Sequence, residues 1–215
     1  MNKIENNQIL KLGAIVFDGF ELLDLFGPLE MFGVLKDKIK ITLVSEKDKV
    51  ITSSQGPKIL ADTTFVEAAD FDIRLIPGGL GTRKEVNNQN MINFIEISSQ
   101  KASYVATVCT GSALLAKTGL LNELNATTNK KAFDWVVKQN PCVNWILEAR
   151  WVEDGNFFTS SGVSAGMDMA LGLIEKIYSK DTSNKVAQLT EYIWNSDKNN
   201  DPFTKNIISS KKKIS

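Results

Sequence analysis

Cys109 closes an apolar, strand-forming run, YVATVC (104–109), and is followed by Thr110, Gly111 and the helix-spaced pattern SALLAKTGLL (112–121). A strand that turns at a cysteine into a helix through small residues has the geometry of a nucleophile elbow, which lifts one side chain above the sheet. The start of that helix offers backbone N–H groups and a positive dipole end, both of which favour thiolate. Cysteine is also the nucleophile that least needs a neighbouring base. Free cysteines are equally at home as buried packing residues, so position alone leaves both readings open.

The 215 residues include no histidine and two cysteines. Ser-His-Asp and Cys-His machinery and histidine-built zinc sites are therefore excluded, and proton transfer falls to carboxylates, Cys, Lys, Tyr or water. Neither a metal nor an organic cofactor is expected. Asp24 stands out among the carboxylates, because Leu22, Leu23, Leu25 and Phe26 surround it in sequence. An acid in that setting is a helix-terminus cap or a buried group whose neutral form is favoured, which makes it a candidate proton donor. In IPGGLG (76–81), Gly78 and Gly79 allow the backbone to approach a ligand. The amides of Gly79 and Thr110 could then converge as an oxyanion hole, although Pro-Gly-Gly is also an ordinary turn. GVSAG (162–166) has the form of a serine-hydrolase elbow, but without histidine Ser164 has no activating base. That stretch is assigned to a helix start whose Gly162 and Ser164 could line a pocket. Cys142, in NPCVNW, has no evident partner, and the four tryptophans are expected in the core or at an interface.

The elements that would position these residues follow from periodicity. Strands are expected over 9–17, 39–45, 71–79 and 104–109, with short strands and turns over 49–65 and a hairpin over 149–161 around Asp154-Gly155. Helices are expected over 21–35, with a kink or restart at Gly27-Pro28, and over 84–100, 130–139, 164–179 and 183–196. Strands alternating with helices predict an α/β three-layer sandwich around a mostly parallel sheet, with the site where strand C-terminal ends meet loops. Residues 8–196 read as one domain, and the polar, lysine-rich 197–215 as a loosely held tail.

Lys plus Arg and Asp plus Glu balance at 25 each, so no positive field exists to hold nucleic acid. The start MNKIENNQ is polar, and no apolar stretch reaches the ~18 residues of a membrane span. Two cysteines are no disulfide framework, which predicts a cytoplasmic protein.

The ordered segments FDGFELLDLFGPLEMF, LIPGGLG, ATVCTGSALLAKTGLLN, ATTNKKAFDW and ARWVEDGNFFTSSGVSAGMDMAL resemble the ThiJ/PfpI (parkinsonism-associated deglycase) superfamily over roughly residues 10–195, and most of all its isonitrile hydratase branch. The resemblance implies a flavodoxin-like, class I glutamine amidotransferase-like fold and a homodimer with its site near the interface. It implies Cys109 as nucleophile, Asp24 as its acidic partner, and Gly79 and Thr110 as site-lining backbone donors. The implied activity is hydration of an isonitrile to an N-substituted formamide. The alternatives are a glyoxalase- or deglycase-like reaction on small carbonyls and a non-enzymatic redox or stress response. Regulators in the superfamily carry an added DNA-binding domain, which is not expected here. One departure is plain: where many relatives have histidine in A-T-T-H, this sequence has Asn129.

Overall fold

Apolar runs long enough to be buried on both faces make the central strands, and helices with one apolar stripe must cover them. The computed structural model describes residues 8–205. The chain opens with β1 (Leu10–Ile15), α1 (Leu22–Gly33) and β2 (Ile39–Ser45). Short strands β3 (Val50–Thr52), β4 (Lys58–Leu60) and β5 (Thr63–Thr64) follow. Next come β6 (Ile73–Ile76), α2 (Thr82–Glu85), α3 (Gln89–Lys101), β7 (Tyr104–Val108) and α4 (Gly111–Lys117). β8 (Asn125–Ala126), α5 (Phe133–Val137) and β9 (Asn144–Trp145) precede the hairpin of β10 (Trp151–Asp154) and β11 (Phe157–Ser160). Two helices end the regular structure, α6 (Ala165–Ile177) and α7 (Lys180–Leu189).

The main sheet runs β10-β11-β7-β6-β1-β2-β5, parallel throughout except for the β10–β11 hairpin. It is the mostly parallel α/β sandwich that the sequence predicts. α1 and α7 pack on α6 in one group, while α2, α3 and α5 pack on α4 in the other. β7 lies between β6 and β11, with Ile76 opposite Thr107 and Ser160 opposite Val108. The loops that leave these three strands therefore emerge side by side at one edge, and Cys109 stands in the middle of them.

Four expectations are corrected. A single helix runs through Pro28, where a restart was an expected alternative. Pro28 is buried, and a Cβ on Gly166 of α6 would lie 3.1 Å from its Cγ, so packing against α6 overrides the local break. The helix expected over 84–100 is two helices, because Asn88 accepts from the N–H groups of Asn90 and Met91 and starts α3 afresh. The last helix begins at Lys180 and stops at Leu189 rather than spanning 183–196. The described part of the polar tail is docked: Asp201 and Thr204 are buried. Of the residues read as a loose tail, 206–215 lie outside the described residues.

The docking is polar and specific. Arg150 gives its Nε–H to Asp168 Oδ2 at 2.6 Å, and its Nη2 lies 2.6 Å from the same oxygen. Asp168 Oδ1 accepts from the Tyr192 hydroxyl at 3.0 Å and the Asn195 N–H at 2.9 Å. The Trp194 indole N–H donates to the Asp168 carbonyl, and the Lys198 carbonyl accepts from Arg150 N–H. Asp201 then sits between Lys130, at 3.7 Å, and Arg150, at 3.8 Å. Segment 190–205 thus straps the β10 edge down through partners that are themselves buried.

Candidate functional site

Cys109 has a backbone φ of +56°, the left-handed region that most side chains avoid. The bend is held from both sides. Its N–H donates to the Ser160 carbonyl at 3.1 Å, and its carbonyl accepts from the hydroxyls of Thr128 at 2.8 Å and Ser112 at 3.0 Å. A Cβ on Gly111 would come within 2.3 Å of the Ile76 carbonyl oxygen, so the turn into α4 fits against β6 only with glycine there. The elbow expected from the sequence is therefore present, and Cys109 is buried, only 7% exposed.

Asp24 lies in the first turn of α1 and is fully buried. It does not cap its own helix. Its Oδ2 accepts from the Gly78 N–H at 3.1 Å, while Oδ1 has no hydrogen-bond partner. Gly78 is what lets the acid approach: a Cβ there would lie 2.8 Å from Asp24 Oδ2 and 2.6 Å from the Thr110 nitrogen. Burial, more than any charge, pushes the Asp24 carboxyl up to about 8, although the neighbouring Cys109 side chain pulls the other way. The Cys109 thiol is pushed well above its ordinary value, first by burial and then by the neighbouring Asp24. The Thr110 N–H favours the thiolate, as expected at a helix start, but burial outweighs it. Both groups consequently hold their protons at neutral pH.

Gly79 and Thr110 are also in the cluster. The Gly79 N–H donates to Thr110 Oγ1 at 3.1 Å, and the Thr82 hydroxyl lies 3.1 Å from the same oxygen. The Gly79 amide is thus spent on fixing Thr110 rather than aimed at open space. Gly79 has φ +126°, and a Cβ would meet the Gly19 carbonyl oxygen at 2.3 Å, so the loop is locked against the β1–α1 turn. Gly162 faces the thiol: a Cβ there would lie 3.1 Å from Cys109 Sγ. Ser164 does not join the group, and its hydroxyl accepts from Arg150 Nη2 at 3.4 Å.

A cavity of about 550 Å³ opens over Cys109, with Leu80, Val163 and Trp135 among its apolar walls. Glu21 borders it and is held by the Gln55 side-chain amide. Arg83 lies over the Trp135 ring, its Cζ 3.8 Å from the centroid. Sequence reasoning missed Arg83 and placed Trp135 in the core or an interface. The two are 52 positions apart, and nothing local in either segment signals that they meet. Asn129, read only as a departure from histidine, lines the same cavity. Cys142 is exposed and away from it. No group of three or more His, Cys, Asp or Glu among the described residues is arranged to hold a metal, and none of the described helices is long and apolar enough to cross a membrane.

Chemically the arrangement offers a buried thiol, a carboxylic acid that keeps its proton at neutral pH, and above them a mostly apolar chamber bordered by Glu21, Arg83, Lys131 and Asp134. Known proteins resemble the chain in sequence and in fold. A family model described as the DJ-1/PfpI family matches residues 11–176. The isonitrile hydratase of Pseudomonas putida is 34% identical over 184 residues, spanning 85% of this chain and 78% of that protein. The HTH-type transcriptional regulator GbdR of Pseudomonas aeruginosa is 26% identical over 87% of this chain, which spans only 52% of the regulator. A ThiJ/PfpI family protein from Pseudomonas syringae superposes with a TM-score of 0.80 at 29% identity, over 89% of this chain and 78% of that one. Drosophila melanogaster DJ-1beta shares the fold with a TM-score of 0.77 at 20% identity, over 87% of this chain and all of that one.

Proposed function

Because the chain belongs to the DJ-1/PfpI family, we propose that it hydrates an isonitrile, R–N≡C, to the N-substituted formamide, with Cys109 as nucleophile and Asp24 as acid and base. One observation carries the reading: in a chain without histidine, a fully buried carboxyl raised to about 8 interacts with the buried Cys109 thiol. The likeness to isonitrile hydratase along most of the chain supports the choice of substrate.

The terminal carbon of an isonitrile carries a lone pair and accepts both a proton and a nucleophile. The Asp24 proton goes to that carbon. Cys109 sulfur forms the C–S bond, and its own proton passes to the Asp24 carboxylate. The product is an enzyme-bound thioimidate, R–N=CH–S–Cys, with the carboxyl protonated again. Water then adds to the carbon while nitrogen takes a proton, giving R–NH–CH(OH)–S–Cys. The C–S bond breaks as the hydroxyl proton returns to sulfur through Asp24, and the formamide leaves. Asp24 Oδ2 is occupied by the Gly78 N–H, so Oδ1 is the oxygen free to carry the transferred proton. The apolar walls from Leu80, Trp135 and Val163 suit an apolar R group.

The test is turnover of cyclohexyl isocyanide by purified protein, read as formamide formation beside C109A. Loss of activity in that variant is expected, and a folded wild type with no turnover overturns the reading. The pH profile carries a second expectation. If protonated Asp24 starts the reaction, kcat/KM is level near neutrality and falls as pH rises through about 8, where that carboxyl loses its proton. A rate that climbs through pH 8 would instead mean that the ionised pair is the active form.

A further inference from the structure

Resting on the isonitrile reading, we propose that Asn129 is a catalytic hydrogen-bond donor whose side-chain N–H binds the oxygen that water adds to the thioimidate carbon. The Asn129 amide turns its nitrogen, not its oxygen, toward the site. Asn129 Oδ1 accepts from the Ala132 N–H at 3.0 Å. A backbone N–H can only donate, so the oxygen must point that way and Nδ2 must point the other. Nδ2 has no partner among the described residues and stands in the wall of the cavity over Cys109.

Gly162 fixes where Nδ2 lies relative to sulfur. A Cβ at that glycine would meet Asn129 Nδ2 at 2.1 Å and Cys109 Sγ at 3.1 Å. The amide nitrogen and the sulfur therefore border the same point, and only glycine leaves them both room. A carbon bonded to Sγ would place its added oxygen within reach of that amide. The backbone donor expected from the glycine loop is unavailable, since the Gly79 N–H is committed to Thr110.

The reaction needs this donor in one half only. Forming the thioimidate creates no oxygen-centred charge, because the isonitrile has no oxygen. Water addition places an oxygen on the carbon, and a hydrogen bond there stabilises the adduct that collapses to the formamide. An amide neither gives nor takes a proton at neutral pH, so Asn129 holds the oxygen while Asp24 moves the protons. Asn129 would thus slow the second step when lost, and leave the first unchanged.

The experiment compares wild type, N129A, N129D and G162A, all in a C142S background so that one thiol remains. N129D keeps an oxygen for the Ala132 N–H and loses the donor, whereas N129A loses both. With cyclohexyl isocyanide, the three variants are expected to turn over about 10²-fold more slowly, and intact mass should show Cys109 carrying the substrate. Slow turnover with an unoccupied thiol overturns the proposal, as does normal turnover in N129D. A second arm does not depend on the isonitrile. p-Nitrophenyl acetate transfers its acetyl group to the Cys109 sulfur with release of p-nitrophenol, and water then cleaves the thioester. Deacetylation should be at least about tenfold slower in N129D and N129A, and an unchanged rate overturns the proposal. If wild type deacetylates but does not hydrate the isocyanide, the substrate assignment has failed and this arm alone decides the role of Asn129.

Discussion

D24N is expected to lower turnover by about 10²–10⁴-fold, the range for loss of a general acid–base group. The same variant should gain stability over the parent as pH rises. The amide keeps the size of the carboxyl and an oxygen for the Gly78 N–H, but it has no proton to transfer. The stability effect follows from the raised carboxyl. Unfolded, Asp24 titrates near its ordinary 3.8, and folded it does so near 8. Between those values the folded chain binds the extra proton, so the favourable contribution present below 3.8 is lost progressively as pH rises and is gone above about 8. The gap in unfolding free energy between D24N and wild type should therefore move in favour of D24N by a few kcal/mol between pH 4 and pH 9. Denaturant melts at the two pH values measure it. A gap that does not change with pH would mean that Asp24 is ionised in the folded protein, and the proton-donor role would fall with it.

The second large effect lies outside the cavity. D168A should destabilise the protein by about 3–5 kcal/mol, because it leaves the Arg150 guanidinium buried without its main partner. For a chain of this size that corresponds to a Tm lower by roughly 6–20 °C. Three strap contacts, from Tyr192, Trp194 and Asn195, also converge on Asp168. Trypsin should then cut within 190–205 in D168A under conditions where the parent resists. Pairing D168L with R150M should recover part of the stability, since no uncompensated guanidinium is left buried and Asp201 keeps Lys130. A Tm within about 2 °C of the parent for D168A would show that the strap holds without this ion pair.

What the sequence made legible, and what it did not, follows from the range of the interactions. β7 and the Cys109 elbow are local: an apolar run, a stop and small residues lie within a few positions of one another. Asp24 was legible because four apolar neighbours in sequence already forecast its burial. Pro28 was read by a local rule, and a distant contact with Gly166 overrode it. The strap failed for a related reason. Asp201, Asn195 and Lys198 are polar, and polar residues read as solvated until buried partners far along the chain are known. The resemblance supplied the pairing of Cys109 with Asp24, but Asn129 appeared in it only as a missing histidine. The Ala132 N–H orients that amide, and the clearance at Gly162 gives it a place beside sulfur.

The left-handed backbone at Cys109 has an evolutionary consequence. A non-glycine residue held at φ +56° sacrifices on the order of 1–2 kcal/mol that a glycine there would keep. Selection acting on folding alone would drift this position toward glycine, and drift at an elbow is easy because one substitution suffices. A lineage that retains a side chain at this bend does so against that drift. The residue at 109 is therefore a marker that can be followed through descendants: its replacement by glycine would date the moment at which the chamber above it ceased to be under selection.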